Sequence, residues 1–196
     1  MTATVIAFML ALAPATVGAG ERAPVPAFEQ DPECSPSQMP LDGRASPYDS
    51  ASVAVGQAQI KVCYGRPSAR GRTMIGGEDV PFGTPWRLGA NEPTTLHTTH
   101  AIRVGDVRLD PGSYTLYAIP GAEEWEIVVN GAVDRWGIPI DDEVREADLG
   151  SFTVPRQRPD GHVEAMTIRF GTPDGGAVPL VVEWEEFRVT VPVEAT

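Results

Sequence analysis

The chain has little positive charge. Its 196 residues include 15 Lys and Arg against 27 Asp and Glu, which leaves a formal net charge of −12. Nucleic-acid binding requires a basic surface that neutralises phosphates, and anionic membranes attract clusters of Lys and Arg. The composition therefore argues against nucleic acid and anionic lipid as partners, whereas a strongly negative surface favours solubility.

Cysteine is also scarce, and the two residues present are Cys34 and Cys63. In an exported protein an even number of cysteines permits a disulfide. This one would close a loop of about thirty residues and stabilise the fold by roughly 3 kcal/mol. We predict the Cys34–Cys63 disulfide, with two free thiols as the alternative.

The three histidines do not form a recognisable metal-binding pattern. His97 and His100 are three positions apart, which places them on opposite faces of a strand, and His162 lies in a distant Asp-Gly-His turn. The chain also lacks a Gly-x-Ser-x-Gly nucleophile motif and a phosphate-binding loop. We therefore predict no metal site and no cofactor.

The first 19 residues contain no charged side chain, and their apolar run is too short to span a bilayer comfortably. Val17-Gly18-Ala19 supplies the small residues that a signal peptidase cleaves after. We predict a signal peptide over residues 1–19, an exported protein that is periplasmic or extracellular, and no stable membrane span after cleavage.

Residues 20–45 are rich in proline and acidic residues and have few large apolar side chains. Such a segment buries too little surface to offset the entropy of ordering it, so we predict a flexible linker. Residues 46–196 are then a single domain.

Helix-forming segments are few, in keeping with 19 prolines and 20 glycines. One short helix is expected over residues 141–149, capped by Asp141 or Asp142 and ended by Gly150. Elsewhere apolar and polar residues alternate between turn dipeptides such as Asn130-Gly131. We predict an all-β domain, a single antiparallel sandwich of jelly-roll-like or barrel-like form. Its strands are expected at 53–64 (with a bulge near Gly56 and Val53, Val55, Ile60 and Val62 inward), 94–104, 107–109, 113–119, 125–130, 151–154, 164–170, 180–184 and 187–193.

Residues 64–95 depart from the acidic character of the chain. No carboxylate occurs over residues 50–77, and Arg66, Arg70, Arg72 and Arg87 are set among glycines and prolines. Arginine binds carboxylate and phosphate groups through two parallel hydrogen bonds. These arginines therefore predict either a pocket for an anionic or polyhydroxylated ligand or ion pairs with the domain's own Asp and Glu.

The end of this stretch adds Asn91 and Glu92, which follow Arg87 on a tight bend at Gly89-Ala90. One interpretation is a catalytic group in which Arg87 stabilises negative charge and Glu92 is the general base. The other is a self-satisfied turn, in which Arg87 pairs with Glu92 and Trp86 packs in the core.

The order of these segments resembles a bacterial family catalogued as domain of unknown function 2911, over residues 46–193. The resemblance rests on Tyr64-Gly65-Arg66-Pro67-Ser68-Ala69-Arg70-Gly71-Arg72, Val80-Pro81-Phe82-Gly83, Trp86-Arg87-Leu88-Gly89-Ala90-Asn91-Glu92-Pro93-Thr94-Thr95, Pro111-Gly112-Ser113-Tyr114-Thr115-Leu116-Tyr117, Ile119-Pro120, Trp125 and Trp136-Gly137. It implies an exported, predominantly β protein with no assigned activity. It also implies that the family's arginine, asparagine and glutamate positions correspond to Arg66, Arg72, Arg87, Asn91 and Glu92. The position of Cys63 is commonly acidic in similar sequences, which implies that a disulfide is particular to this branch.

Three functions remain open from the sequence. The leading one is an exported binding or envelope-associated module, whose loop site recognises a small anionic or glycan ligand through Arg66, Arg72, Arg87, Asn91 and Glu92. The second is a hydrolase or lyase with Glu92 as base and Arg87 as its partner. The third is a structural or interaction domain in which the arginines only fasten loops.

Overall fold

A computed structural model describes Glu33, Cys34, Pro36 and residues 39–196. The predicted signal peptide and most of the predicted linker lie outside the described residues. The described part of the chain forms eleven strands and one short helix. Their bounds are β1 Tyr48–Val55, β2 Ala58–Gly65, β3 Thr94–Thr98, β4 Ile102–Val104, β5 Val107–Leu109, β6 Gly112–Pro120, β7 Glu124–Asn130, α1 Asp142–Arg145, β8 Asp148–Pro155, β9 Val163–Phe170, β10 Ala177–Glu185 and β11 Phe187–Ala195.

The strands form two antiparallel sheets. One has six strands in the order β1-β2-β3-β6-β7-β8, and the other has five in the order β5-β4-β11-β10-β9. The sheets stay separate and do not close into a barrel. The predicted antiparallel sandwich is therefore confirmed, without its barrel-like variant.

The core lies between the two sheets and follows the alternation of the strands. In β2, Ile60, Val62 and Tyr64 are at most 1% exposed, whereas the residues between them belong to the opposite face. On the other sheet Leu180 and Val182 are equally buried. Burying each such side chain stabilises the fold by about 1.5 to 3 kcal/mol, which fixes the register of both sheets.

Two expected single strands are each divided in the structure. The bulge predicted near Gly56 is instead a two-residue hairpin turn, because Val55 pairs with Ala58 and Gly56 has a φ of 61°. Residues 99–101 divide the predicted run 94–104 into β3 and β4, which belong to different sheets. Both differences have one cause. Apolar and polar residues keep alternating across the turn, so the pattern alone does not show where one strand ends and the next begins.

The hairpin turn predicted at Asn130-Gly131 does not form. Instead, residues 131–147 connect β7 to β8. The Asn130 side chain organises this connection, since its Oδ1 accepts from the Ala132 amide at 2.8 Å and its Nδ2 donates to Asp148 Oδ1 at 2.8 Å. The asparagine is fully buried, and its side chain holds the connection 131–147 against the start of β8 instead of forming a tight turn.

The predicted helix is present but shorter than expected, covering Asp142–Arg145. Asp141 is its N-cap, and its carboxylate accepts from the Val144 amide at 3.2 Å. The helix ends early because β8 begins at Asp148 and pairs with β7. Among the described residues, no helix has the length and apolar character needed to cross a membrane.

The predicted disulfide between Cys34 and Cys63 is confirmed, with the two Cα atoms 5.7 Å apart. Cys63 lies on β2 with its side chain on the face opposite the core, since its neighbours Val62 and Tyr64 point inward. The disulfide thus fastens Cys34 to the outer face of the six-stranded sheet.

Candidate functional site

The connection from β2 to β3, residues 66–93, carries the arginines and is fastened to both sheets. At β6, Trp86 and Ala118 exchange two backbone hydrogen bonds of 2.7 and 2.9 Å. As predicted, Trp86 is in the core, where its ring stacks on Trp184 with ring centroids 5.7 Å apart. The connection is thus held as a fixed part of the domain.

Glu185 fastens the same connection to the five-stranded sheet. Its two carboxylate oxygens accept from the amides of Met74 and Ile75 at 2.9 and 2.8 Å, and the residue is 6% exposed. Its φ of 51° turns the side chain out of the regular strand pattern. The sequence gives no local signal for this role, because the partners are more than a hundred positions away.

Two of the predicted site residues, Arg66 and Arg72, have partners within the domain. Arg66 donates to the Met166 carbonyl at 3.0 Å and lies 3.6 Å from an Asp49 oxygen. Arg72 pairs with Asp79 at 3.0 Å, and both of these side chains are about half exposed. These contacts fasten the loop at its surface.

Glu92 is paired with Arg44 rather than with Arg87. Arg44 donates to both carboxylate oxygens, at 2.7 and 2.9 Å, and the side chains are only 1% and 6% exposed. Arg44 also donates to the carbonyls of Pro40 and Met39. The predicted Arg87–Glu92 pair is therefore wrong, because a residue of the predicted linker takes its place. We refer to Arg44 and Glu92 as the clasp.

Arg87 and Asn91 line an open cavity of about 410 Å³, as does Arg72. The other lining residues are Ser46, Pro67, Met74, Asp79, Val80, Trp86, Gly89, Ala90, Ile138 and Trp184. Asn91 has the positive φ expected for its bend, 64°. We refer to this space as the loop cavity.

The Arg87 guanidinium has no hydrogen-bond or carboxylate partner among the described residues. Its Nε atom is fully buried without a partner, and burial lowers the pKa of the group. The charge of Arg44, by contrast, is matched by Glu92. Arg87 is thus a desolvated cation on the wall of a cavity, which is a favourable position for binding an anion.

Gly137 allows the connection 131–147 to reach this cavity. A Cβ atom at Gly137 would collide with the Asn91 carbonyl oxygen and with Cδ of Arg87. The glycine therefore permits the close approach that places Ile138 in the cavity wall beside Arg87.

The histidines do not assemble a metal centre. His97 is half buried on β3, with its Nδ1 atom 2.7 Å from the Ser113 hydroxyl, whereas His100 is exposed beyond the strand end. The part of the chain that the structure describes contains no group of three His, Cys, Asp or Glu residues that could hold a metal ion.

A model of the family described as protein of unknown function, DUF2911, matches residues 46–193. The chain belongs to this family. The match covers both sheets, from just before β1 to Val193 in β11, and includes all five predicted site residues. No curated protein and no solved structure matches the chain.

Glu92 is not free to act as a general base in this arrangement. A general base needs a carboxylate that is free to accept a proton from a substrate, and both oxygens of Glu92 already accept from Arg44. Arg44 would have to leave before Glu92 could act. Arg87 and Asn91 need no such change, since they already line the loop cavity.

Proposed function

We propose that the domain is a binding module for a small organic anion, which enters the loop cavity and is held by Arg87. A carboxylate or phosphate head would accept two parallel hydrogen bonds from the guanidinium. Asn91 would supply further polar contact from the same wall. The module acts as a receptor or carrier rather than as an enzyme.

The observation that carries this proposal is the unmatched charge of Arg87. Removing a guanidinium from water is costly unless a partner compensates it, and this one has none among the described residues. A bound anion would provide that compensation. Charged groups with perturbed pKa values that line a cleft are common at functional sites.

The remaining walls of the loop cavity indicate the kind of anion. The apolar residues Met74, Val80 and Ile138 line it, as do Trp86 and Trp184. Small-molecule sites typically combine such apolar walls with a few polar groups that fix orientation. The ligand class is therefore an anion with a compact apolar or ring-shaped body.

We further propose that the module works outside the cytoplasm. The Cys34–Cys63 disulfide supports this location, since such bonds persist in oxidising compartments. The uncharged, apolar stretch in residues 1–19 supports it independently.

Isothermal titration with benzoate, and with phenyl phosphate as a second probe, tests the proposal. We expect Arg87→Gln to weaken binding about tenfold or more, because it removes a charge-assisted contact. Arg108→Gln is the matched control, since Arg108 is an exposed arginine on β5 and lines none of the described cavities. Equal binding by the Arg87→Gln variant, or no binding of either probe by the unaltered protein, would contradict the proposal.

A further inference from the structure

A second, smaller cavity lies on the outer face of the six-stranded sheet. Its volume is about 230 Å³. One wall is β3, from which Thr95 and His97 point away from the core, and the opposite wall is the connection 131–147. Its lining residues are Tyr48, Glu92, Pro93, Thr95, His97, Val133, Asp134 and Arg135. We refer to it as the sheet cavity.

Arg135 leaves one nitrogen unused in this wall. Its Nε donates to the Ala132 carbonyl at 3.2 Å, and its Nη1 donates to the Trp136 carbonyl at 3.0 Å. Nη2 is buried with no hydrogen-bond partner in the described residues. The backbone carbonyls fix its position, but they carry no negative charge to compensate the guanidinium.

The His97 imidazole also has a buried nitrogen without a hydrogen-bond partner among the described residues. Its Nδ1 atom is 2.7 Å from the Ser113 hydroxyl, whereas its Nε2 atom is buried and lacks a partner in the described chain. Burial and the nearby Lys61 lower the pKa of the imidazole, which favours the neutral ring. When the Ser113 hydroxyl donates to Nδ1, the proton is on Nε2 and is available to an acceptor.

Two unused nitrogens in one cavity are unusual, because buried polar groups are almost always hydrogen-bonded to protein or to ordered water. The surrounding carboxylates compensate the charge of Arg135 only in part, since desolvation outweighs the favourable effect of Asp141 and Asp148 and lowers its pKa. Glu92 is occupied by Arg44, and Asp134 is exposed. The missing component is therefore an acceptor that carries negative charge.

We propose that the sheet cavity is a second binding site, which takes a small carboxylate or similar oxyanion between Arg135 and His97. One ligand oxygen would accept from Nη2 of Arg135, and another atom of the ligand would bond to Nε2 of His97. The smaller volume restricts this site to more compact anions than the loop cavity accepts. The inference is independent of the proposed role of Arg87.

Acetate is a suitable probe. Its binding is followed by nitrogen-15 NMR of the full disulfide-bonded chain. The protein is titrated at a constant pH of about 7.5, with sodium chloride replaced by sodium acetate so that the ionic strength does not change. We expect saturable shifts of the His97 Nε2 and Arg135 Nε signals. Chloride alone provides the baseline.

Two variants locate the site. Arg135→Gln removes the charge and retains an amide that can bond to the backbone carbonyls, and it should weaken acetate binding about tenfold or more. His97→Gln should weaken it by about two- to tenfold, because it removes one neutral hydrogen bond. The backbone amide spectrum shows whether each variant keeps the fold, so loss of binding is separated from unfolding.

Arg87→Gln is the control, since it alters the unmatched arginine of the other cavity and should leave the acetate response of His97 unchanged. The proposal is overturned if acetate causes no saturable shift at His97 and Arg135. It is equally overturned if folded Arg135→Gln and His97→Gln variants bind acetate as tightly as the unaltered protein.

Discussion

Arg44 and Arg87 both lie at the turn formed by residues 87–92, but their guanidinium groups differ in whether they have a partner. Arg44 is 1% exposed and donates to both oxygens of Glu92. Arg87 belongs to the turn itself, yet its guanidinium has no partner in the described structure. The guanidinium of Arg44 has a carboxylate partner within the protein, whereas that of Arg87 has none among the described residues.

The difference shows how a cluster of arginines divides between structure and function. Burying a charge costs several kcal/mol unless a partner and hydrogen bonds compensate it. The clasp meets this requirement within the chain and holds residues 39–44 against the turn. Arg87 does not meet it within the described residues, and this is the observation on which the proposed binding site rests.

The strongest test of the clasp is Glu92→Gln. The substitution leaves Arg44 buried and without a counter-charge, so we expect the free energy of unfolding to fall by about 3 to 5 kcal/mol. Urea denaturation at neutral pH measures this loss. A loss below about 1 kcal/mol would mean that the clasp is not structural, and the contrast with Arg87 would fail.

Removing the disulfide sharpens the comparison by releasing the segment that carries Arg44. We expect the Cys34→Ala/Cys63→Ala variant to lose about 3 kcal/mol, because the bond closes a loop between residues 29 positions apart. In this background Glu92→Gln should cost less than in the oxidised protein, since Arg44 can leave the interior. Purely additive losses in a double-mutant cycle would show that the disulfide and the clasp act independently.

The pH dependence of stability tests the environment of His97 in the sheet cavity. Burial and Lys61 lower its pKa in the folded state below the ordinary value of 6.5. The unfolded chain therefore binds this proton more readily, and stability falls as the pH is lowered through about 6.5. We expect the urea midpoint of His97→Gln to change less with pH over this range than that of the unaltered protein. An identical pH dependence would contradict this assignment, as would a stability that rises on acidification.

The smallest effect is expected at the surface. Arg72 and Asp79 form an ion pair, but both side chains are about half exposed. Water and salt screen such pairs, so Asp79→Asn should change the free energy of unfolding by less than about 1 kcal/mol. A loss as large as that of Glu92→Gln would remove the distinction between the surface pair and the clasp.

Much of the fold could be predicted because its causes are local. Alternation along β6, β7 and β9 and the turn residues between strands identified an antiparallel sandwich, and Cys34 and Cys63 were paired correctly. Asn130-Gly131 shows the limit. The dipeptide favours a hairpin turn, but the Asn130 side chain instead donates a hydrogen bond to Asp148, 18 positions further along the chain.

The site was predicted only in part, for a similar reason. Composition indicated that Arg87 and Asn91 belong to an unusual stretch, and both line the loop cavity. The partner of Glu92 was missed, because Arg44 lies in a segment whose composition resembles a linker. Arg135 was missed as well, since a lone arginine outside the cluster gives no signal until the fold buries it.

The most direct test makes the same substitution at both arginines, Arg44→Gln and Arg87→Gln, and compares their urea midpoints with and without benzoate. We predict that Arg44→Gln lowers the midpoint strongly and that Arg87→Gln leaves it unchanged or slightly higher. We also predict that benzoate raises the midpoint of the unaltered protein, and of Arg44→Gln if that variant folds, but not of Arg87→Gln. Equal losses of stability at the two positions, or stabilisation of Arg87→Gln by benzoate, would contradict the account.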